Sequence, residues 1–247
     1  MKRGTSFMNR KTRVITLIIV CLLPILIISG CKKENAFPKE SQDLLWKAKR
    51  TKPFGVFEYS DLSKNAAETI LKEKFAVSLS ALTKKTEAIL DEEFLTDTGA
   101  KGTVTYTIDA KENKLQVRGF YPYEQGNRIP VFAYIDSEYH YLPEKKQAIL
   151  ADQTITCSNY GESTAFQSQH VEVLLKKIGE LVRVENLTIA LTQLKESGKD
   201  VKSKELEVSD NGEDAYKKKN IRSSLYVGID EQSEIKEIYA RLTDYRE

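Results

Sequence analysis

The chain has 247 residues and carries 38 Lys and Arg against 36 Asp and Glu, a formal net charge of +2. This near-neutral, mixed-sign composition argues against nucleic-acid binding, which calls for a basic stripe or patch. Three cysteines are too few for a disulfide framework, so the fold must be stabilised by packing. The length suffices for one well-buried core, or for a small helical unit with one β domain.

The first 31 residues divide into three parts. Residues 1–13 carry five basic side chains and no acidic one, Val14–Ile28 is apolar, and the small residues Ser29 and Gly30 directly precede Cys31. The basic end is of the kind held on the cytoplasmic side during export. The apolar run is short for a membrane-spanning helix, which needs about 20 residues.

The motif Ile28-Ser29-Gly30-Cys31 resembles the lipobox of bacterial lipoprotein precursors. The resemblance implies that residues 1–30 are a signal peptide and that Cys31 becomes the lipid-modified N-terminus, carrying a diacylglyceryl thioether and palmitate. Each buried methylene contributes ~0.8 kcal/mol, so two acyl chains on one cysteine give a lasting anchor. It also implies that the protein is extracytoplasmic and lipid-anchored in the cell membrane or the outer membrane. Polar residues 31–40 then form a tether.

We predict a helical segment over residues 41–98. Ser41–Arg50 fits a short helix, and Phe54–Tyr59 fits a short strand. Apolar residues recur at three- and four-residue steps through Ser63–Glu93, which is typical of an amphipathic helix. Alternation near Phe75–Ser80 conflicts with that period, so either one long helix or two consecutive helices are expected.

The period changes from 3.6 to 2 after residue 98, which predicts a β-rich domain over residues 99–247. The predicted strands are short alternating or apolar runs separated by turns: Thr103–Ile108, Leu115–Phe120, Ile129–Asp136, Ile149–Cys157, Val171–Lys177, Leu181–Val184, Leu187–Leu194, Leu206–Val208, Leu225–Ile229 and Ile235–Leu242. Of these, Val171–Lys177 also fits a helix. We therefore expect an α+β fold, with the N-terminal helical segment packed on an antiparallel β-sandwich or barrel-like domain.

Motifs for catalysis and metal binding are sparse. Cys157 could form a nucleophile pair with His140 or His170, but neither histidine lies in a recognisable motif, and a buried core thiol fits better. No zinc-ligand spacing is present, and Asp210–Asp214 lacks the spacing of a calcium loop. The acidic run Asp91–Glu93 is expected to be solvated. We therefore expect no catalytic residue, no metal and no cofactor.

Aromatic residues are concentrated in the middle of the chain. The candidate binding residues are Phe120, Tyr121, Tyr123, Tyr134, Tyr139 and Tyr141. At strand ends or in loops, such side chains provide a large contact area at low entropic cost, which suits a protein-binding face or stacking on a sugar ring. Alternatively, they are core residues or cross-strand pairs, because aromatics favour strands.

Together these patterns predict a membrane-tethered extracytoplasmic lipoprotein that binds a protein, as an accessory subunit of an envelope assembly. One alternative is a lipid- or small-ligand-binding lipoprotein, with a barrel that encloses an apolar cavity. The other is an envelope hydrolase, which requires the Cys157 thiol within hydrogen-bond reach of an imidazole in an open cleft.

Overall fold

The computed structural model describes residues 44–160, 168–197 and 204–246. These belong to one compact unit that spans Glu40–Glu247. The predicted signal peptide, the tether and Cys31 lie outside the described residues. Within the described chain the fold is α+β, with ten antiparallel strands in a single sheet and five α-helices.

The elements follow the chain in a mixed order. The strands are β1 Lys47–Lys49, β2 Gly55–Leu62, β3 Ala100–Lys101, β4 Thr105–Glu112, β5 Lys114–Gln125, β6 Arg128–Leu142, β7 Gln147–Asn159, β8 Lys204–Asp210, β9 Ile221–Ile229 and β10 Ile235–Asp244. The helices are α1 Lys64–Ile70, continued by a π-helical turn at Leu71–Phe75, then α2 Ala81–Thr98, α3 Ser168–Val182, α4 Leu187–Ser197 and α5 Gly212–Lys217.

The sheet is open, with the strand order β2-β4-β5-β6-β7-β10-β9-β8. Strands β1 and β10 share one edge of β7: Lys47 pairs with Ile149, and Leu242 pairs with Gln153. Strands β3 and β4 likewise share one edge of β5, where β3 pairs with the end that β4 does not reach. The expectation of a barrel or a two-sheet sandwich is therefore wrong. Helices, rather than a second sheet, form the other layer.

Side chains of the central strands alternate between two faces, as the pleat requires. One face, here called the helix face, is buried: Tyr123 of β5 packs edge-on against Phe94 of α2, with ring centroids 5.2 Å apart. On β6, the Tyr139 hydroxyl donates to the Ser78 carbonyl at 2.8 Å, and on β9 the Ser223 hydroxyl donates to the Val182 carbonyl. The other face, here called the open face, carries the alternate residues.

Of the two arrangements expected for Ser63–Glu93, the structure has two consecutive helices with a break between them. Ala76 adopts a left-handed conformation with φ 56° and ends the π-helical turn. Ser80 then begins α2, because its hydroxyl accepts a hydrogen bond from the Thr83 amide at 3.1 Å and satisfies one of the free amides of the first turn. Gly99, with φ 87°, ends α2.

Three local predictions are wrong. The helix expected at Ser41–Arg50 is replaced, in its described part, by β1, because pairing with β7 satisfies the backbone there. The strands expected at Leu181–Val184 and Leu187–Leu194 are the end of α3 and most of α4. Their short apolar runs fit either period, so the pattern alone does not distinguish a strand from a helix there. For Val171–Lys177, the helical alternative is the correct one.

Gly119 of β5 makes room for two buried tyrosines. It pairs with Tyr106 of β4, and a Cβ at this position would lie 2.7 Å from the Tyr121 ring and 3.0 Å from the Tyr106 ring. The two hydroxyls are hydrogen-bonded at 2.6 Å, so neither ring can shift without breaking that contact. A close packing of this kind tolerates added volume poorly.

We expect Gly119→Ala to lower the free energy of unfolding by about 1–3 kcal/mol, through overpacking against both rings. Urea unfolding followed by circular dichroism measures it. Adding Tyr121→Leu should relieve the clash, so the double variant should lose less stability than the sum of the two single losses. Additive losses would show that Tyr121 is not what opposes the methyl group.

Candidate binding face

The structure separates the six predicted aromatic residues into two groups. Tyr121, Tyr123, Tyr139 and Tyr141 are buried on the helix face. Their burial raises the pKa of the Tyr121, Tyr123 and Tyr139 phenols. Tyr123 donates to Asp91 at 2.7 Å. Only Phe120 and Tyr134 lie on the open face, where a partner could reach them.

Phe120 and Tyr134 belong to a compact aromatic group on the open face. We define the aromatic cluster as Phe120, Phe132, Tyr134 and Tyr160. Ring centroids are 5.2 Å apart for Phe120 and Tyr134, and 5.7 Å apart for Phe120 and Phe132. Phe132 stacks on Tyr160 at 5.6 Å with planes 19° apart, and Tyr160 remains 70 % exposed. Such offset pairs contribute about 0.5–1.5 kcal/mol beyond area burial.

The cluster continues as a row of side chains across the sheet. In register, Phe120 faces Tyr134, Tyr134 faces Thr156, Thr156 faces Tyr239, and Tyr239 faces Tyr226. Adjacent strands are about 4.8 Å apart, so the row spans five strands with only a threonine between its aromatic groups. The row therefore forms a semi-rigid surface, because ring side chains lose little freedom on contact.

A second row next to the aromatic one is made of arginine–aspartate pairs. Arg118 binds Asp136 through two hydrogen bonds, at 2.7 and 3.2 Å, and its guanidinium lies 5.2 Å from the Tyr134 ring centroid. Arg241 donates to Asp152 at 2.8 Å. Within each pair the opposite charges neutralise each other, and the hydrogen bonds fix the positions of both side chains.

The third such pair lies near the β8 edge. Arg222 donates to Asp210 at 3.0 Å, and Tyr226 donates to the same carboxylate at 2.6 Å. Burial, together with the hydrogen bond to Asp210, raises the pKa of Tyr226 to about 12, and the same carboxylate raises the pKa of Arg222. Asp210 is thus bound by protein groups, at the end of β8 and two residues before α5 begins.

A separate apolar groove lies between α3 and α4. It has a volume of 1330 Å³, and residues of the β9–β10 turn also line it. Val173 and Ile189 are 43 % and 60 % exposed on its walls. Its apolar lining also includes Leu175, Leu187, Leu191, Leu194 and Ile235. Charged side chains of both signs, among them Glu180 and Lys195, form the rim.

The Cys157 thiol is fully buried on the helix face, where desolvation raises its pKa to about 12. His140 lies on the open face, hydrogen-bonded to Glu138. From the register, these two residues are roughly 25 Å apart along β7, so His140 cannot serve as a base for the thiol. The His170 side chain lies outside the described part of the chain.

In the acidic run Asp91–Glu93, Glu92 is solvated as expected, but Asp91 is half-buried and Glu93 is buried. Asp91 binds Lys101 at 2.9 Å as well as the Tyr123 hydroxyl, and Glu93 is buried and pairs with Lys177 at 2.6 Å. These contacts join α2 to β5 and α3, so Asp91 and Glu93 contribute to the packing of the helices on the sheet. Among the described residues, no group of three or more His, Cys, Asp or Glu is arranged to hold a metal ion.

Sequence reasoning missed Phe132 and Tyr160. Phe132 precedes Tyr134 by two residues, and strand alternation alone puts both on one face. Tyr160 directly follows β7, and its stacking on Phe132 depends on the β6–β7 register, because Val131 pairs with Asn159. No local signal in the sequence reports that pairing.

Comparison with protein-family models, with curated proteins and with solved structures finds no match to this chain. None of the described helices has the length and apolar character that crossing a bilayer requires. Function must therefore be argued from the chemistry of the open face and the groove.

We expect Cys157 to resist alkylation in the folded protein from about pH 7 to about pH 10, because both burial and a raised pKa suppress the thiolate. Iodoacetamide labelling, resolved by peptide mass spectrometry, measures it at this residue alone. Urea should make the same peptide react rapidly. Fast labelling of native protein would contradict the buried placement.

Proposed function

We propose that this chain is a membrane-tethered extracytoplasmic lipoprotein whose open sheet face binds a protein partner, as an accessory subunit of an envelope assembly. The observation that carries the binding role is the aromatic cluster. Tyr160 is 70 % exposed and stacks on Phe132, which gives solvent a continuous aromatic surface. Aromatic groups of this size are enriched in protein interfaces.

The surroundings of the cluster also support a protein interface. The neighbouring charges are already paired, as in Arg118–Asp136. A partner that covers them therefore does not bury an unpaired charge, which would be costly. The arginine–aspartate row can serve as a polar rim beside an aromatic centre, which is the usual anatomy of an interface. The lipobox-like N-terminus supports the location, since a tether keeps the face near other envelope proteins.

A second candidate function is the binding of a lipid or another apolar small molecule. It is supported by the groove between α3 and α4, whose walls carry exposed Val173 and Ile189. This differs from the barrel interior expected from the sequence, because the sheet does not close. Ligand sites of drug-sized molecules are commonly lined by apolar side chains in this way.

The anchor can be tested by labelling cells with an alkyne analogue of palmitate. We expect the wild-type chain to be labelled and Cys31→Ser to be unlabelled and to keep residues 1–30, because acylation precedes cleavage at a lipobox. Cys157→Ala is the matched control and should be labelled like the wild type. Label that persists in Cys31→Ser would contradict the proposed anchor.

The binding face can be tested by replacing single residues with a photocrosslinking phenylalanine analogue in intact cells. Substitution at Phe132 and at Tyr160 should trap the same envelope protein, because both side chains lie in the aromatic cluster. Lys72, exposed in the π-helical turn, is the control position and should trap none. Equal adducts at all three positions, or none at Phe132 and Tyr160, would argue against the proposal.

A further inference from the structure

A notch borders the aromatic cluster at the β8 side of the sheet. Glu205 of β8 pairs with Gly228 of β9, and Gly228 pairs with Glu237 of β10, so two carboxylates flank a residue without a side chain. A Cβ at position 228 would lie 3.1 Å from the Glu237 Cβ and 3.4 Å from its Oε2. These three residues and Tyr160 line a surface pocket with a volume of 610 Å³.

The two carboxylates of the notch differ from the three aspartates of the open face that form arginine pairs. Asp136, Asp152 and Asp210 each bind an arginine. Glu205 and Glu237 form no ion pair with any residue in the described part of the chain. Both are exposed, and β9 lies between their strands, so their Cα atoms are about 10 Å apart, two strand spacings. A cation between them can attract both carboxylates.

Neutral hydroxyl donors hold the Glu237 carboxylate in place. Tyr160 donates to Glu237 Oε1 at 3.3 Å, and Ser158 donates to the same oxygen at 3.4 Å. The carboxylate in turn raises the pKa of the Tyr160 phenol. Of the two lysines that line the notch, Lys236 pairs with Asp230 and Glu234, while Lys204 forms no ion pair with Glu205 or Glu237 in the described part of the chain. The notch therefore retains acceptors for an incoming donor.

The Tyr160 ring adds a second attractive surface for a cation. Guanidinium groups stack on aromatic faces and bind carboxylates at the same time, because the group is planar and carries five N–H donors. The open face already holds one such arrangement: Arg118 lies over Tyr134 and binds Asp136. The notch presents a ring and two carboxylates without the arginine.

We propose that the notch formed by Glu205, Gly228, Glu237 and Tyr160 binds an arginine side chain presented by a polypeptide partner of the open face. The proposal rests on the proposed function and specifies the chemistry of that partner. Two carboxylates and a phenol supply too few oxygen ligands for Ca²⁺, which takes six to eight. They match a guanidinium, whose two edges can each meet one carboxylate.

The test uses the full-length chain in detergent, immobilised for surface plasmon resonance. The probe is the peptide acetyl-Gly-Arg-Gly-Arg-Gly-amide, and the reference is the same peptide with norleucine for arginine. We expect Glu205→Gln and Glu237→Gln each to weaken arginine-peptide binding about fivefold, the loss of roughly one exposed charge-assisted contact. Glu58→Gln, an equal charge change on the far edge strand β2, should leave binding unchanged.

Two further measurements separate stacking from general charge attraction. Tyr160→Phe keeps the ring and should bind within about twofold of the wild type, whereas Tyr160→Leu should lose about fivefold. Binding should weaken as sodium chloride rises from about 50 mM to about 500 mM. Equal binding of the arginine and norleucine peptides, or equal effects of Glu58→Gln and Glu237→Gln, would overturn the inference.

Crosslinking in cells distinguishes this inference from the proposed function. If the Phe132 adduct forms in the wild type but persists undiminished in Glu205→Gln/Glu237→Gln, the arginine inference is wrong and the protein-binding face stands. If no adduct forms in the wild type, the proposed function itself fails. Binding of a neutral oligosaccharide such as chitotriose, without binding of the arginine peptide, would also overturn the inference.

Discussion

Strands β5, β6 and β7 lie side by side for 12, 15 and 13 residues, and their pleat sends alternate side chains to opposite faces. On the helix face, Tyr123 and Tyr139 pack under α2 and the loop before it, with their hydroxyls bonded to Asp91 and to a backbone carbonyl. A shift of one residue in register would exchange the two faces. The buried contacts of these tyrosines therefore also fix which aromatics face solvent.

The open face combines a hydrophobic surface with charges that are largely paired within the protein. Phe120, Phe132 and Tyr134 shield part of one another's surface, which limits the apolar area exposed to water in the absence of a partner. The Arg118–Asp136 pair adjoins these rings, since the Arg118 guanidinium binds the Asp136 carboxylate and lies over the Tyr134 ring. Among the described residues, Glu205 and Glu237 have no such arginine partner, which is why the notch between them is the part of the face proposed to bind an arginine side chain.

The groove between α3 and α4 is chemically distinct from the open face. It lies among helices on the other layer, and its walls are aliphatic rather than aromatic. Gly179 permits the close approach of the two helices, because a Cβ there would lie 2.6 Å from Leu187 Cδ1. An apolar ligand and a protein partner could therefore act on the same chain without competing for one surface.

Much of the architecture follows from local pattern. Alternation predicts the strands from Thr105 onward, three- and four-residue spacing predicts α1 and α2, and the parity of β5 and β6 puts Tyr121 and Tyr139 with the apolar residues of the helix face. The lipobox resemblance is also a property of the sequence alone. Short apolar runs such as Leu187–Leu194 fit two periods, so the helix there depended on packing against α3 and β8. The aromatic cluster and the notch were decided only by tertiary structure, because the register between strands brings Phe132 to Tyr160 and places Glu205 and Glu237 on either side of Gly228.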